Sequence, residues 1–235
     1  MAVVSYELRG PVGVIAMDDG RANVLSPTMQ SELHSALDQA EADAVAVVLA
    51  GRAGRFSGGF DLAVMQAGVS ETRAMVIGGF KLAQRLLTFP RPVVAACTGH
   101  AIAMAAFLLL ACDYRIGAAG DYRIVANEVA IGMTMPFAAL ELCRQRLAPA
   151  YYHRSIILAE TFSPETAIDA GFLDRVVDAE GVVAAAESLA TDLAALNAQA
   201  HAATKLRARA ESLTRYAEAI DIDDGALAKL EAGVQ

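Results

Sequence analysis

The order of apolar and polar positions divides the chain into strands and helices, followed by a long helical end. The runs "VVSYEL" and "VGVIAM" flank Gly10 and Pro11, an arrangement that predicts a β-hairpin. The apolar runs "AVAVVLAG" and "VVAAC" do not alternate with polar residues, which predicts strands that are covered on both faces. After the hairpin, Ser26 and Pro27 predict the start of a helix, because serine caps helices and proline suits the first turn.

The remaining pattern favours an α/β protein. The helix after Ser26 presents one apolar face, formed by Met29, Leu33, Ala36, Leu37 and Ala40. Later, "DYRIGA" and "DYRIV" predict two short strands around Gly120, and "GFLDRVVD" predicts another. We expect loops at "GRAGRFSGGF" and "TGHAIA", an irregular segment at "NEVAIGMTMP", and helices from about Val182 onward. Strands that alternate with helices before a helical end are typical of the α/β class.

Composition and charge narrow the class of protein. The 235 residues are 55% hydrophobic, which is enough for one large domain with or without a helical appendage. A formal net charge of −8 argues against nucleic acid as the partner, because a phosphate backbone needs a basic surface. One or two Arg or Lys residues could still hold a small anionic ligand.

The start of the chain, its longest apolar run and its cysteines together predict the compartment of the protein and whether it spans a membrane or binds a metal. The start "MAVVSYELRG" lacks the basic and apolar regions of a signal peptide. The longest apolar run, residues 101–112, is shorter than the roughly 20 residues that span a bilayer. Cys97, Cys112 and Cys143 are odd in number and lack C-x-x-C spacing. We therefore expect a cytoplasmic protein with buried thiols, no metal site and no membrane span.

The stretch "GRFSGGFDLA" places two adjacent glycines before a predicted helix. Gly58 and Gly59 permit positive φ angles and the close approach of a ligand. Asp61 is a candidate helix cap, which leaves the amide of Phe60 near the positive end of that helix, where an oxyanion would be stabilised. The alternative is a tight structural connection between a strand and a helix.

A second set of amides is expected at the start of the helix in "TGHAIAMAAFLLLACD". Two such sets from different loops could hold one carbonyl oxygen, which is the architecture of an oxyanion hole. Taken alone, this segment is better explained as a plain core helix.

Glu128 lies among apolar residues in "NEVAIGM", where a buried carboxyl would have a raised pKa and suit a working base. The alternative is a solvated loop acid. His34, His153 and His201 fall in predicted helices and have no metal-ligand spacing. A hydrolase built on Ser57 and His100 is the least favoured reading, because no third group suggests itself.

Three segments in this order resemble the crotonase superfamily, the enoyl-CoA hydratase/isomerase family: "GRFSGGFDL", "PVVAACTGHAIAMAAFLLLACDYRI" and "NEVAIGMTMP". The resemblance implies a spiral core of ββα turns over residues 1–180, which binds acyl-CoA, and a C-terminal helical trimerisation region over 181–235. It implies an acyl-CoA thioester as substrate, no separate cofactor, and a homo-oligomer that is a trimer or a hexamer. The thioester oxygen would lie between the amides of Phe60 and Met104.

The sequence departs from the hydratase pattern of this family. Hydratases use two glutamates; the later one maps to Glu128, but the earlier one maps to Phe107. The usual glycine run is replaced by Ala103, Met104 and Ala105, and a common proline is replaced by Asn127. Isomerases of the superfamily keep only the later glutamate, so the resemblance favours an enoyl-CoA isomerase with Glu128 as the single proton shuttle. Gly59, Asp61 and Phe107 are expected at the substrate pocket.

Three further classes of function stay open at this stage. The first is a hydratase that works with one glutamate, and the second is a catalytically weak acyl-CoA-binding protein. The third is a hydrolase or decarboxylase of the same fold, with His100 or Asp61 as extra groups. For the coenzyme A phosphates, the resemblance points to Arg21, Arg55 and Lys205, although solvated surface cations explain these residues equally well.

Overall fold

The computed structural model describes residues 2–233. Nine strands occur in these residues, and their bounds follow in chain order: β1 Val4–Arg9, β2 Val12–Met17, β3 Ala46–Ala50, β4 Gly54–Ser57, β5 Val93–Cys97, β6 Gly99–Ile102, β7 Tyr114–Ala118, β8 Ile124–Val125 and β9 Arg175–Val177. The α-helices are α1 Pro27–Asp43, α2 Leu62–Ala67, α3 Val69–Thr88, α4 Met104–Ala111, α5 Phe137–Arg146, α6 Pro149–Ile156, α7 Pro164–Ala170, α8 Val182–Leu193 and α9 Ala198–Glu231.

The strands form two sheets that the chain visits in turn. The larger sheet has the order β1-β2-β3-β5-β7-β9 and is parallel except for the β1–β2 hairpin. The smaller sheet has the order β4-β6-β8 and is parallel throughout. Three times the chain adds one strand to the large sheet, one to the small sheet, and then a helix. These are the repeated ββα turns that the family resemblance implies.

Several predicted elements are present with close bounds. The hairpin, the buried strands and the short strands around Gly120 all occur. Ser26 caps α1 by accepting a hydrogen bond from the Met29 amide at 3.2 Å, and Pro27 opens the helix. The five residues of the predicted apolar face of α1 are all buried, which confirms the periodicity argument.

Two predictions of loops are wrong. The segment "GRAGRFSGGF" contains β4 and "TGHAIA" contains β6. Both strands have four residues, and both begin with a glycine, a residue that strands normally disfavour. The two strands pair with each other, and Gly99 permits this because an added Cβ would lie 2.0 Å from the carbonyl carbon of Gly54. The stabilising contact is therefore between segments distant in sequence, which local pattern cannot reveal.

The apolar core lies on both faces of the large sheet. One face packs against α1, α3 and α4, and α4 is buried at every position. The other face is covered by α8, which contributes Val182, Ala186 and Ala190 to a second cluster with Val48 and Val94. The predicted C-terminal region from residue 181 thus begins with a helix that completes the core.

The last helix, α9, packs along α3 and α5. Asp223 of α9 accepts hydrogen bonds from the amides of Phe137 at 3.0 Å and Ala138 at 2.9 Å, and so caps the start of α5. Arg73 of α3 forms a two-pronged ion pair with Asp224 at 2.7 and 3.0 Å. Among the helices of residues 2–233, none combines the length and apolarity that crossing a membrane requires.

Candidate active site

The small parallel sheet brings the three motif segments to one edge. β4 leads into the double glycine, β6 into the start of α4, and β8 into the loop that carries Glu128. The carboxyl ends of parallel strands meet at a common edge, where ligand sites of α/β proteins form. A pocket of about 130 Å³ lies there, lined by Gly58, Phe60, Leu62, Met65, Ile102, Ala103, Asn127, Glu128, Ile131 and Met133. The catalytic pocket is the name used below for this space.

Gly59 allows the loop after β4 to approach the loop after β6 closely. Its φ angle is +85°, in the left-handed region that favours glycine. A Cβ at this position would lie 2.7 Å from the carbonyl oxygen of Ile102 and 3.5 Å from the amide nitrogen of Met104. The backbone after β4 therefore packs directly against the backbone that begins α4. Gly58 lies against another segment, donating to the carbonyl of Ala22 at 2.8 Å, but an added Cβ there would meet no atom closer than 3.4 Å, so the steric requirement for glycine falls on Gly59.

Of the three consecutive amides at Gly58, Gly59 and Phe60, only the first two donate hydrogen bonds among the described residues. The Gly58 amide donates to Ala22, and the Gly59 amide donates to the Ser57 hydroxyl at 3.1 Å. Within residues 2–233, no hydrogen bond is donated by the Phe60 amide or by the Met104 amide, the first of α4. These are the two donors that the sequence assigned to an oxyanion hole, and Gly59, bonded to Phe60, lies against Met104.

Ala103 enters α4 with a strained backbone. Its φ is 53° and its ψ is −123°, a conformation that glycine adopts readily and alanine does not. The replacement of the family's glycine run thus places an alanine where the backbone conformation favours glycine.

Replacing Ala103 by glycine should stabilise the folded protein by about 1 kcal/mol, because relief of roughly 1–3 kcal/mol of strain exceeds glycine's entropic cost. Urea unfolding at fixed protein concentration measures the change. The matched control is Ala105→Gly in the regular first turn of α4, which should destabilise by about 1 kcal/mol. Equal losses from both variants would contradict the strain at Ala103.

Glu128 is 6% exposed and lines the catalytic pocket from the third loop. Burial raises the pKa of its carboxyl from 4.5 to about 7. Its Oε2 atom is buried and has no hydrogen-bond partner among the described residues. Burial, and secondarily the Glu128 carboxyl, also raise the pKa of the neighbouring Cys143 thiol. The carboxylate is thus costly to keep in place, as expected of a base that is used.

The raised pKa predicts a pH-dependent stability. The folded protein holds the Glu128 proton more tightly than the unfolded chain, so this group favours folding below about pH 4.5 and loses that contribution as pH rises through about 7. Glu128→Gln should therefore match the wild type near pH 4.5 and exceed it near pH 8 by on the order of 3 kcal/mol. Urea unfolding across this range measures it, and Glu180→Gln at an exposed site should show no such divergence.

The geometry gives no support to a hydrolase built on Ser57 and His100. Ser57 is fully buried and its hydroxyl accepts from the Gly59 amide. His100 Nδ1 accepts from the Arg123 amide at 3.0 Å, and its ring lies edge-on to Tyr122. Neither side chain lines the catalytic pocket, and no hydrogen bond joins them.

None of the three residues expected at the substrate pocket is among its lining residues; Gly59 packs against the backbone that begins α4, and the other two take other positions. Phe107 is 1% exposed and packs in the main core, so its side chain does not line the catalytic pocket. An aromatic ring gains more from burial among apolar residues than from a partly polar wall. Asp61 caps α2 by accepting from the Ala63 amide at 2.9 Å, as predicted, and also lies outside the lining.

The three cations assigned to coenzyme A differ in their surroundings. Arg21 and Arg55 are exposed. Arg21 precedes Ala22, which accepts a hydrogen bond from the Gly58 amide, and Arg55 lies in β4, the strand that leads to Gly58. Lys205 is buried, and its Nζ lies 2.7 Å from Asp113, which also pairs with Arg209 at 2.9 Å. Within one chain this ammonium therefore has a structural partner and lines a different cavity. Burial, opposed by Asp113, lowers the pKa of Lys205.

Several lining residues were not predicted from the sequence. Leu62 and Met65 come from α2, the helix after Asp61. Ile131 and Met133 were given no role, although both lie in the quoted segment "NEVAIGMTMP". Asn127, noted only as a departure from proline, lines the pocket with a buried, unpartnered Oδ1.

Asn23 was also missed. This fully buried residue has φ of 52°, and its side-chain amide donates to the carbonyls of Met17 at 2.9 Å and Phe56 at 3.3 Å. It thereby joins the end of β2 to β4 and holds the neighbouring Ala22 against Gly58. Among the residues described, no three His, Cys, Asp or Glu side chains are grouped as a metal site would require.

The fold and the edge site together define a crotonase, and comparison with known proteins agrees. The family model for enoyl-CoA hydratase/isomerase matches residues 7–232. The chain belongs to the enoyl-CoA hydratase/isomerase family.

Solved structures give the same result. A structure of the probable enoyl-CoA hydratase EchA3 of Mycobacterium tuberculosis is 50% identical, covers 98% of each chain and superposes with a TM-score of 0.94. A second structure of that protein is described as an apo enoyl-CoA isomerase; it is 51% identical over 94% of this chain and 96% of that one, with a TM-score of 0.90. The human mitochondrial Δ3-Δ2-enoyl-CoA isomerase is 27% identical over 97% of this chain and 91% of its own, with a TM-score of 0.91.

A curated relative matches over a shorter stretch. The putative enoyl-CoA hydratase of Thermus thermophilus is 39% identical over 143 residues. The alignment covers 58% of this chain and 56% of that relative, so the match spans about half of its length.

Proposed function

We propose that this protein is an enoyl-CoA isomerase that moves a double bond from C3 to C2 of an acyl-CoA thioester, with Glu128 as the single proton shuttle. The observation that carries the proposal is the lining of the catalytic pocket: Glu128 is the one carboxyl among the residues that form it. The position of the earlier family glutamate is occupied by Phe107, which is buried in the core.

The amides of Phe60 and Met104 would bind the thioester oxygen. Both lack acceptors among the described residues, and their segments are packed together at Gly59. Removing a proton from C2 places negative charge on that oxygen, so donors fixed in advance stabilise the transition state more than the substrate. By analogy with measured oxyanion holes, each donor is worth roughly 3–4 kcal/mol.

Glu128 would then make both proton transfers. Its carboxylate takes a proton from C2, the C2–H electron pair forms a C1–C2 double bond, and the carbonyl π pair moves onto the thioester oxygen, giving a dienolate with the intact C3–C4 double bond. The protonated carboxyl then returns the same proton to C4, which bonds it with the C3–C4 π pair. The C1–C2 π pair shifts to C2–C3, and the oxygen pair restores the carbonyl of the thioester. No water and no second acid are consumed, so one carboxyl with a pKa near neutrality is sufficient.

Hydration is the second candidate. It needs one group to deprotonate water and another to protonate C2, and here Glu128 would have to do both. The similar mycobacterial protein is described as a probable hydratase, so hydration is tested as well. The apolar wall formed by Leu62, Ile102, Ile131 and Met133 favours isomerisation, because it disfavours a bound water beside the dienolate.

Separate incubation with a 3-enoyl-CoA and a 2-enoyl-CoA tests the proposal. Isomerisation produces the absorbance of the conjugated enoyl thioester from the first substrate and leaves the second unchanged. Loss of that absorbance from the second substrate would establish a hydratase. Binding without either reaction would establish a weak acyl-CoA-binding protein, and release of free thiol would establish hydrolysis.

Arg21 and Arg55 are proposed to attract the coenzyme A phosphates. Replacing both with alanine should raise KM about two- to sixfold without changing kcat, because exposed ion pairs contribute about 0–1 kcal/mol and act on binding only. The rise should shrink at high salt. Replacement of Arg175, exposed on β9 of the large sheet, is the matched control. An equal rise there would show that only net charge matters.

We further propose that the protein assembles as a trimer or a hexamer and works in the cytoplasm. Exposed apolar side chains on α5, on α9 and just after α6 support self-association, with Phe137, Leu206 and Leu158 among them. Three buried, unpaired cysteines are compatible with a reducing compartment. Light scattering measures the assembly.

A further inference from the structure

Met133 separates the catalytic pocket from a larger groove. The pocket holds about 130 Å³, below the ~300–1,000 Å³ typical of ligand sites. Next to it lies a space of about 530 Å³ lined mainly by Val129, Met133, Met135, Leu140, Ile156 and Ile157, called the side groove below. Met133 lines both spaces, so its side chain forms part of the wall between them.

The backbone of Met133 is fixed while its side chain is adaptable. The Met133 amide donates to the carbonyl of Glu128 at 2.9 Å, closing the turn that carries the catalytic carboxyl. Methionine is unbranched and has three rotatable bonds, so its thioether can move without displacing that turn. Movement of this side chain can therefore open a passage between the two spaces while Glu128 stays in place.

The chemistry of the side groove matches a hydrocarbon chain. Its lining contains no charged residue, and Thr134 is its single hydroxyl. Val129 and Ile157 are 44% and 56% exposed, an arrangement that leaves apolar surface open to a ligand or a partner. The groove shares Met133 with the catalytic pocket, and this contact with the proposed substrate site favours the distal part of the substrate over a separate partner.

We infer that the side groove binds the distal carbons of a medium- or long-chain acyl group, and that Met133 determines how long a chain the enzyme accepts. This inference rests on the proposed acyl-CoA substrate. Each methylene that enters the groove should tighten binding by up to about fourfold.

Calorimetry with unreactive butyryl-CoA, octanoyl-CoA and dodecanoyl-CoA tests the inference without turnover. The wild type should bind octanoyl-CoA at least about tenfold more tightly than butyryl-CoA. Met133→Phe, which fills the space between the groove and the pocket, should reduce that ratio about tenfold. Met133→Leu should keep the ratio of the wild type. Ile157→Glu should weaken octanoyl-CoA about fivefold more than butyryl-CoA. Met65→Ala, in the catalytic pocket only, should change both ligands by similar factors.

These measurements distinguish failure of the groove inference from failure of the proposed isomerase activity. A ratio unchanged by Met133→Phe and Ile157→Glu would overturn the inference. If Ile157→Glu instead dissociates the assembly in light scattering and leaves the ratio unchanged, the groove is a contact between copies of the chain and the inference fails. The expected ratios without isomerisation of a 3-enoyl-CoA would keep the groove and reject the isomerase. If none of the acyl-CoAs binds, both fail.

Discussion

Replacing Glu128 by glutamine is expected to lower kcat for isomerisation of a 3-enoyl-CoA by about 10²- to 10⁴-fold, toward the upper limit because one group makes both proton transfers. Glutamine has nearly the same shape but cannot accept a proton. Stopped assays with the conjugated thioester as product measure the loss. Glu128→Asp keeps a carboxyl but withdraws it by one methylene, so it should retain partial activity.

The pH dependence provides an independent check. A base must be deprotonated to act, so kcat/KM of the wild type should fall tenfold per pH unit below about pH 7 and level off above it. The affinity of Glu128→Gln for butyryl-CoA should stay within about threefold of the wild type, since the carboxyl acts on the reacting carbons. Unchanged turnover in this variant would remove Glu128 from the mechanism.

Gly59→Ala should both destabilise the protein and impair catalysis. The added Cβ would lie 2.7 Å from the carbonyl oxygen of Ile102, at a φ of +85° that alanine disfavours. Relief of this collision moves the loop away from α4 and separates the amides of Phe60 and Met104. We expect a loss of about 3 kcal/mol in unfolding free energy and, in the protein that folds, about a 10²-fold lower kcat.

Gly10→Ala is the matched control for this variant. Gly10 also has a positive φ, +60°, but an added Cβ would meet no atom within 4 Å. Its replacement should cost about 1 kcal/mol and leave kcat unchanged, because only backbone strain is introduced. Equal effects of the two variants would show that the close approach at Gly59 has no catalytic role.

The sequence determined the local elements and the individual chemical groups. Helix α1 was predicted with its cap and its apolar face, because serine, proline and a spacing of three or four residues act within one segment. The α/β class followed from the order of such segments. Glu128 could be singled out because a carboxyl among apolar residues is unusual, and its burial is now observed.

Only the tertiary structure decided how these groups meet. β4 and β6 look like loops, because short glycine-containing segments become strands only when a distant strand supplies their hydrogen bonds. That pairing brings the carboxyl ends of β4, β6 and β8 to one edge and so assembles the site. Phe107 went to the core and Met133 to the pocket wall for the same reason: a side chain's surroundings depend on what packs against it from elsewhere in the chain, which spacing along the sequence does not specify.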